Sequence, residues 1–365
     1  MTKKIQVIIF AVIFFGISVL AWVTPDQEYS ESERRLLAKL PQISMESIID
    51  GSFEDSFEKY VTDQFPMRDQ LRTVKALFEY KVFGKKDNND LYEQDGHVAK
   101  ILWPYNPGSV TSATDKFGKI YESLIAGTEA ADRVYVSVIP DKGYYMAEAG
   151  GYPHIDYDVM FDQVASEMPY ATYIDITDTL ELDDYYRTDL HWRQENLIPT
   201  AQAIGEAMSL KMDGLSQLKP VTAGNFRGVY YGQSALPLAE EAMIYLTSDV
   251  LEGAQSYNFE TNIEAPVYNM EGFEGRDPYD LFLSGATPLM TVTNPAADTD
   301  RELVIFRDSF GSSLAPLLLE EYAKITLVDI RYIQSAFLGQ FLQFDDQDVL
   351  FIYGTTILND SSLLK

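Results

Sequence analysis

The sequence predicts an α/β protein built on a parallel sheet with helices covering both faces. Two patterns carry that expectation. Near-continuous apolar runs recur at Arg133–Ile139, Ala171–Ile176, Glu302–Phe306, Ile325–Val328 and Val349–Tyr353, which is how strands buried on both faces read. Between them fall segments of helical character, Ser112–Ala126, Met160–Met168, Gln194–Leu210 and Ser313–Ala323, and strand–helix alternation is the mark of α/β layering. Residues 211–300 break the rhythm. They are rich in Gly, Tyr, Asn and Pro and read as an insertion of loops and short strands bordering a site.

The chain opens with Lys3 and Lys4, then an apolar run from Ile5 to Val23. A bilayer core needs roughly 20 apolar residues in helical form. Asp26, Glu28, Glu31 and Glu33 follow the run, so the positive-inside rule places residues 1–4 in the cytoplasm, 5–23 in the cell membrane and the rest outside. Trp22 is placed for the outer interface. A cleaved signal peptide is the rival reading, but its apolar core is usually only ~7–15 residues. The run here is longer and lacks a clear small-x-small cleavage site, which favours a single-pass signal anchor.

Residues 24–90 read as a helical, membrane-proximal segment. Glu31–Ala38 has helical composition and ends at Pro41. Within Ser52–Phe65, the residues Phe53, Phe57, Tyr60 and Val61 fall at amphipathic-helix spacing. Pro66 interrupts the period, Leu71–Phe83 resumes it, and Gly84 is placed as its C-cap. The polar run Lys85–Asp90 marks a boundary, and residues 91–365 form the body.

Charge narrows the function. Acids outnumber bases 56 to 28, for a net charge of −28, and such a surface repels nucleic acid and anionic headgroups. There is no cysteine, which removes disulfides and thiolate metal sites.

In an open α/β sheet, ligands bind beyond the carboxyl ends of the strands. Ser309, in Arg307-Asp308-Ser309-Phe310-Gly311, follows the strand Leu303–Phe306 at that end. The next helix has Pro316 near its first turn and points its positive dipole end at the serine. The Ser309 N–H is a natural oxyanion donor. The bland alternative is a turn or capping serine. Asp189 and His191 lie two apart in Tyr185–Trp192, and in an extended segment such residues share a face. The acid then orients the imidazole toward a nucleophile. A surface histidine, Asp189 as a helix N-cap, and a Ca²⁺ or Mg²⁺ site using Asp183, Asp184, Asp189 and His191 are the alternatives.

Tyr186-Arg187-Thr188-Asp189-Leu190-His191-Trp192 resembles the signature of the DHHW protein family. Asp63–Asp69, Phe282-Leu283-Ser284-Gly285, Arg307–Phe310 and Val328-Asp329-Ile330-Arg331-Tyr332 resemble its other blocks. The family name implies two adjacent histidines, and here Leu190 stands at the first, with the Asp-x-His spacing kept. The family is similar to the SGNH-hydrolase-like proteins of alginate O-acetylation (the AlgX/AlgJ type), in which Asp-x-His precedes the serine. The resemblance implies a three-layer α/β/α, flavodoxin-like sheet. It also implies a catalytic set of Ser309 as nucleophile, His191 as base and Asp189 as orienter; no cofactor is expected, and one histidine without a nearby cysteine argues against a transition metal. The implied activity is a membrane-anchored serine O-acyltransferase or esterase working on O-acetyl groups of a cell-surface polysaccharide, with a membrane acetyl-transfer protein as a partner. Arg331, Tyr332 and Trp192 are the candidate substrate-binding residues. The alternative is a non-catalytic carbohydrate-binding or scaffold protein on the same fold.

Overall fold

The computed structural model describes residues 3–365, so Met1 and Thr2 of the expected cytoplasmic segment lie outside the described residues. The chain divides into two compact units. The first runs from the N-terminus through Asn89 and takes in Val229–Leu238; the second comprises Asp90–Gly228 and Ala239–Lys365.

The first unit begins with α1 (Lys3–Val23), 21 residues that include an 18-residue stretch of mean hydropathy 2.5 and no buried side chain. At 1.5 Å per residue it is about 30 Å long, enough to cross a bilayer core. A short antiparallel pair, β1 (Tyr29–Ser30) and β2 (Arg35–Leu36), follows. The helices α2 (Met45–Ile49), α3 (Ser52–Asp63) and α4 (Arg68–Lys81) complete the unit together with the segment 229–238. The expected helix over Glu31–Ala38 is corrected here to a tight hairpin, with Arg34 in the left-handed region (φ 51°). Its cause is tertiary. The Asp63 carboxylate at the end of α3 accepts from both Arg35 terminal nitrogens (2.9 and 2.5 Å) and from the Ala38 N–H (2.9 Å). Glu33 pairs with Arg68 and Arg72 (2.5 and 3.3 Å). Those partners hold the backbone extended, and tertiary context overrides a weak helix propensity.

The Arg35 hydrogen bonds hold the Asp63 carboxyl well below its usual range, at about 2. A folded-state pKa below the unfolded one stabilises above pH ~4 and loses that contribution as pH falls toward 2. Asp63→Asn is therefore expected to cost about 1–2 kcal/mol at pH 7 and only a small fraction of that at pH 2, read as the pH dependence of thermal unfolding in detergent. An equal loss at both pH values would show that the charge is not what matters.

In the second unit, the hairpin β3 (Leu91–Gln94) and β4 (His97–Lys100) leads into α5 (Pro107–Ile120), β5 (Val134–Ile139), α6 (Lys142–Gly150), α7 (Tyr157–Glu167), β6 (Thr172–Tyr173) and α8 (Ile198–Ala207). A second hairpin follows, β7 (Lys219–Phe226) with β8 (Glu241–Thr247), then β9 (Gln255–Asn258), β10 (Ile263–Pro266) and β11 (Leu289–Thr293). The chain closes with β12 (Glu302–Arg307), α9 (Gly311–Leu318), β13 (Lys324–Val328) and β14 (Asp348–Gly354). Eight strands form one sheet in the order β10-β9-β11-β13-β12-β14-β5-β6. The five strands foreseen from their apolar runs, β13, β12, β14, β5 and β6, are all parallel.

The apolar runs follow from burial on both faces. Along β12, Leu303 and Ile305 enter one apolar cluster while Val304 and Phe306 enter another. On β14, Leu350 and Ile352 alternate with Val349, Phe351 and Tyr353 in the same way. Each such side chain contributes about 1.5–3 kcal/mol by leaving water.

Three details differ from the sequence reading. The strand over Ala171–Ile176 is paired only at Thr172–Tyr173, because the Asp175 carboxylate accepts from the Thr177 N–H (2.9 Å) and hydroxyl (2.7 Å) and turns the chain. Pro316 lies in the second turn of α9, not its first, since that helix begins at Gly311. The 211–300 stretch does more than border a site: β9, β10 and β11 extend the sheet by three antiparallel strands.

Candidate active site

Ser309 stands where β12 gives way to α9, at the carboxyl edge of the parallel strands. Asp308 fixes the turn. Its fully buried carboxylate accepts the Phe310 N–H (3.0 Å) through one oxygen and the Gly354 N–H at the end of β14 (2.7 Å) through the other. Burial raises the Asp308 pKa, and the Arg331 charge is the largest force opposing that rise. Gly311 is required by close approach: a Cβ there would lie 2.7 Å from the Arg307 Cβ. Among the described residues the Ser309 N–H has no hydrogen-bond partner, which leaves it available to an oxyanion.

The other half of the site is a tight hairpin. Tyr185 and Trp192 form an antiparallel bridge, and the Tyr186 N–H donates to the His191 carbonyl (3.0 Å). Within it Asp189 and His191 are not consecutive same-face residues of a strand, as the spacing suggested. The Asp189 carboxylate instead accepts from the His191 N–H (3.1 Å) and from its Nδ1 (2.7 Å). This is an Asx turn, the local bonding that a short acidic side chain favours.

The two halves meet. His191 Nε2 lies 2.8 Å from Ser309 Oγ. With Nδ1 donating to Asp189, Nε2 is the unprotonated nitrogen and the serine hydroxyl donates to it. Asp189 is 1% exposed and His191 5%, so the pair is shielded from water on most sides.

Aromatic packing fixes the imidazole plane. Tyr279, from the 211–300 stretch, stacks on His191 with centroids 3.7 Å apart and planes 6° from parallel. The Tyr279 hydroxyl lies 2.7 Å from Ser313 Oγ on α9. Trp192 donates from its indole to that same Ser313 oxygen (2.8 Å) and to the Phe310 carbonyl (3.2 Å). Thus the hairpin, α9 and the 211–300 stretch are bonded to one another around the ring.

The backbone of the hairpin is itself held. The Glu241 carboxylate accepts from the Arg187 and Thr188 N–H groups and from the Thr188 hydroxyl (2.8, 2.8 and 2.7 Å). Lys142 Nζ donates to the Tyr186 and Arg187 carbonyls (3.0 and 3.2 Å). Neither Tyr279 nor Glu241 carried a sequence signal, being brought in by long-range packing. Lys142 stands in Pro140-Asp141-Lys142-Gly143, visible in the sequence only as the stop after β5.

The remaining candidates divide. Trp192 is fully buried, which corrects its assignment to substrate binding: it ties the hairpin to α9 and cannot reach a sugar. Arg331 is paired with the buried Asp329 through Nε (2.9 Å) and Nη2 (2.6 Å). Tyr332 is 51% exposed, with the Arg331 guanidinium over its ring at 5.4 Å. Of the metal alternative, Asp189 and His191 bond to each other, Asp183 faces His97 (3.3 Å) and Asp184 takes the Glu181 N–H (2.7 Å). Among the described residues no group of three or more His, Cys, Asp or Glu is arranged to hold a metal ion.

No family model matches the chain, and no curated protein matches it. Solved structures similar to it include a DHHW family protein from Eubacterium siraeum, with a TM-score of 0.60 and 20% identity, covering 75% of this chain and 92% of that one. Bacillus cereus PatB1, solved with a sulfonyl adduct, aligns with a TM-score of 0.58 and 15% identity over 73% and 95% of the two chains. The O-acetyltransferase domain of Pseudomonas putida AlgJ aligns with a TM-score of 0.44 and 13% identity over 74% and 92%. The chain thus shares the fold of a DHHW family protein, as its sequence blocks suggested.

Proposed function

We propose that this chain is a membrane-anchored, SGNH-hydrolase-like serine O-acyltransferase or esterase, with its body outside the cell, acting on O-acetyl groups of a cell-surface polysaccharide. The observation that carries the reading is the 2.8 Å approach of His191 Nε2 to Ser309 Oγ, with Asp189 on the far nitrogen. Nucleophile, base and orienter at hydrogen-bond distance form the arrangement that activates a serine. The acetyl group and the polysaccharide come from the resemblance of the sequence blocks. The export comes from α1 and the charges around it.

In this mechanism His191 takes the Ser309 proton as Oγ attacks the acetyl carbonyl of the donor. The tetrahedral oxyanion is met by the Ser309 N–H. Collapse expels the donor's alcohol, which takes the proton from His191 and leaves an acetyl-serine. A sugar hydroxyl or water then gives its proton to His191 and attacks that ester. The product is an acetylated sugar or acetate, and Ser309 regains its proton. Asp189 keeps Nδ1 protonated throughout and stabilises the imidazolium at each transfer.

The test is direct trapping of the intermediate. With a chromogenic acetyl ester as donor, the full chain in detergent is expected to release the chromophore and to gain one acetyl group on Ser309, located by peptide mass spectrometry after an acid quench. An oligosaccharide acceptor should divert acetyl from water. A protein that neither turns over the ester nor acquires the acetyl group is not this enzyme.

A further inference from the structure

Lys142 is among the least exposed charged side chains of the second unit, at 2%, and the mechanism above does not use it. It opens α6, directly after β5 and beside the N-cap Asp141. Asp141 is already engaged by the Tyr157 and Thr355 hydroxyls and the Gly143 N–H (3.1, 2.7 and 2.7 Å). The Lys142 ammonium reaches the other way, to the Tyr186 and Arg187 carbonyls (3.0 and 3.2 Å). The Arg187 carbonyl also accepts from the Val98 N–H of β4 (2.8 Å).

A buried cation costs several kcal/mol of desolvation and persists only with compensation. Burial draws the Lys142 pKa down to about 7; Asp189 is the strongest charge holding it up, followed by Glu241 and Asp141. Burial first, and then the Lys142 charge, lower the pKa of His97 on β4, against its hydrogen bond with Asp183; Arg187 lowers it further. The ammonium is therefore bonded to the backbone of the same hairpin that carries Asp189 and His191.

We propose that Lys142 is a positioning residue for the Asp189–His191 pair: its buried ammonium holds the hairpin by the Tyr186 and Arg187 carbonyls, three and two residues before Asp189. The inference rests on the assignment of His191 as the base of Ser309. Glu241 complements it from the N–H side of the same backbone. With both in place the hairpin cannot slide along its own axis, and the Asx turn presents Nε2 to Ser309. Preorganisation of this kind supports catalysis without contact with substrate.

The chain has only three histidines, His97, His154 and His191, so ¹⁵N-histidine NMR on the full chain in detergent can follow each ring. In Lys142→Gln the His191 ring signals are expected to move as the hydrogen bond between Nε2 and Ser309 loosens. The kcat for the chromogenic acetyl ester should fall tenfold or more with KM within twofold. Lys142→Arg, which keeps a donor for the two carbonyls, should return both readouts toward wild type. A purely structural lysine would lower the unfolding temperature and leave the His191 signals and kcat of the folded fraction unchanged, and that result overturns the proposal. Should Lys142→Gln not fold, Lys142→Met, which keeps the apolar stem and removes the donor, is read in its place against the same two outcomes. A wild type without acetyl-ester activity would sink the proposed function, while the His191 signals would still decide the role of Lys142.

Discussion

Ser309→Ala and His191→Ala are each expected to lower acetyl-ester turnover by about 10³–10⁶-fold, and the double variant by no more than either single one. The non-additivity is the informative part. Ser309 Oγ and His191 Nε2 are 2.8 Å apart and share one proton, so each is useless for proton transfer without the other. Asp189→Asn should also be severe, about 10⁴-fold, because an amide at this position can hold the imidazole in the wrong tautomer. Here the aspartate has a second task, since the same oxygen accepts the His191 N–H that closes the turn. Unfolding temperatures should stay close to wild type for Ser309→Ala, whose partly buried hydroxyl bonds His191 and, among the described residues, no other side chain. Additive losses in the double variant would mean that the two residues act separately, and the shared mechanism would have to be given up.

Much of this site could be read before its geometry was known, and the reasons are physical. β12 is legible because both of its faces are buried, so Leu303 to Phe306 carry no polar alternation. A serine directly beyond such a strand falls on the ligand-binding edge of a parallel sheet. Asp189 and His191 come together through an Asx turn and not through the strand periodicity their spacing suggests. The hairpin at Arg35 and the antiparallel strand β9 were illegible for a different reason. Arg35 is held extended by Asp63, 28 residues away, and Gln255-Ser256-Tyr257-Asn258 has no apolar run to announce a strand. Tyr279 is the sharpest omission, since nothing local distinguishes it from the chain's other 23 tyrosines. Contacts that determine such residues are long-range, and single-sequence patterns do not record them.

Gly228→Ala is expected to be the most damaging substitution outside the three reacting side chains. Its neighbour is backbone: a Cβ at Gly228 would lie 2.3 Å from the Thr188 carbonyl carbon and oxygen and 2.4 Å from the Asp189 nitrogen. No rotamer change relieves such a clash, and the segment must move by roughly 1 Å to restore van der Waals contact. The hairpin has little freedom to do so. Glu241 holds the Arg187 and Thr188 N–H groups, Lys142 holds the Tyr186 and Arg187 carbonyls, and the Gly228 N–H itself donates to the Thr188 hydroxyl (2.9 Å). The displacement therefore passes to Asp189 and His191, one and three residues beyond Thr188. A misplacement of about 1 Å costs on the order of 10²-fold in rate, and overpacking adds about 1–3 kcal/mol of destabilisation. Gly253→Ala serves as the control, because an added Cβ there meets nothing within 4 Å; its turnover and unfolding should match wild type. If Gly228→Ala kept turnover within twofold of Gly253→Ala, the position of the hairpin would not be what sets the rate, and the clamp formed by Lys142 and Glu241 would be packing alone.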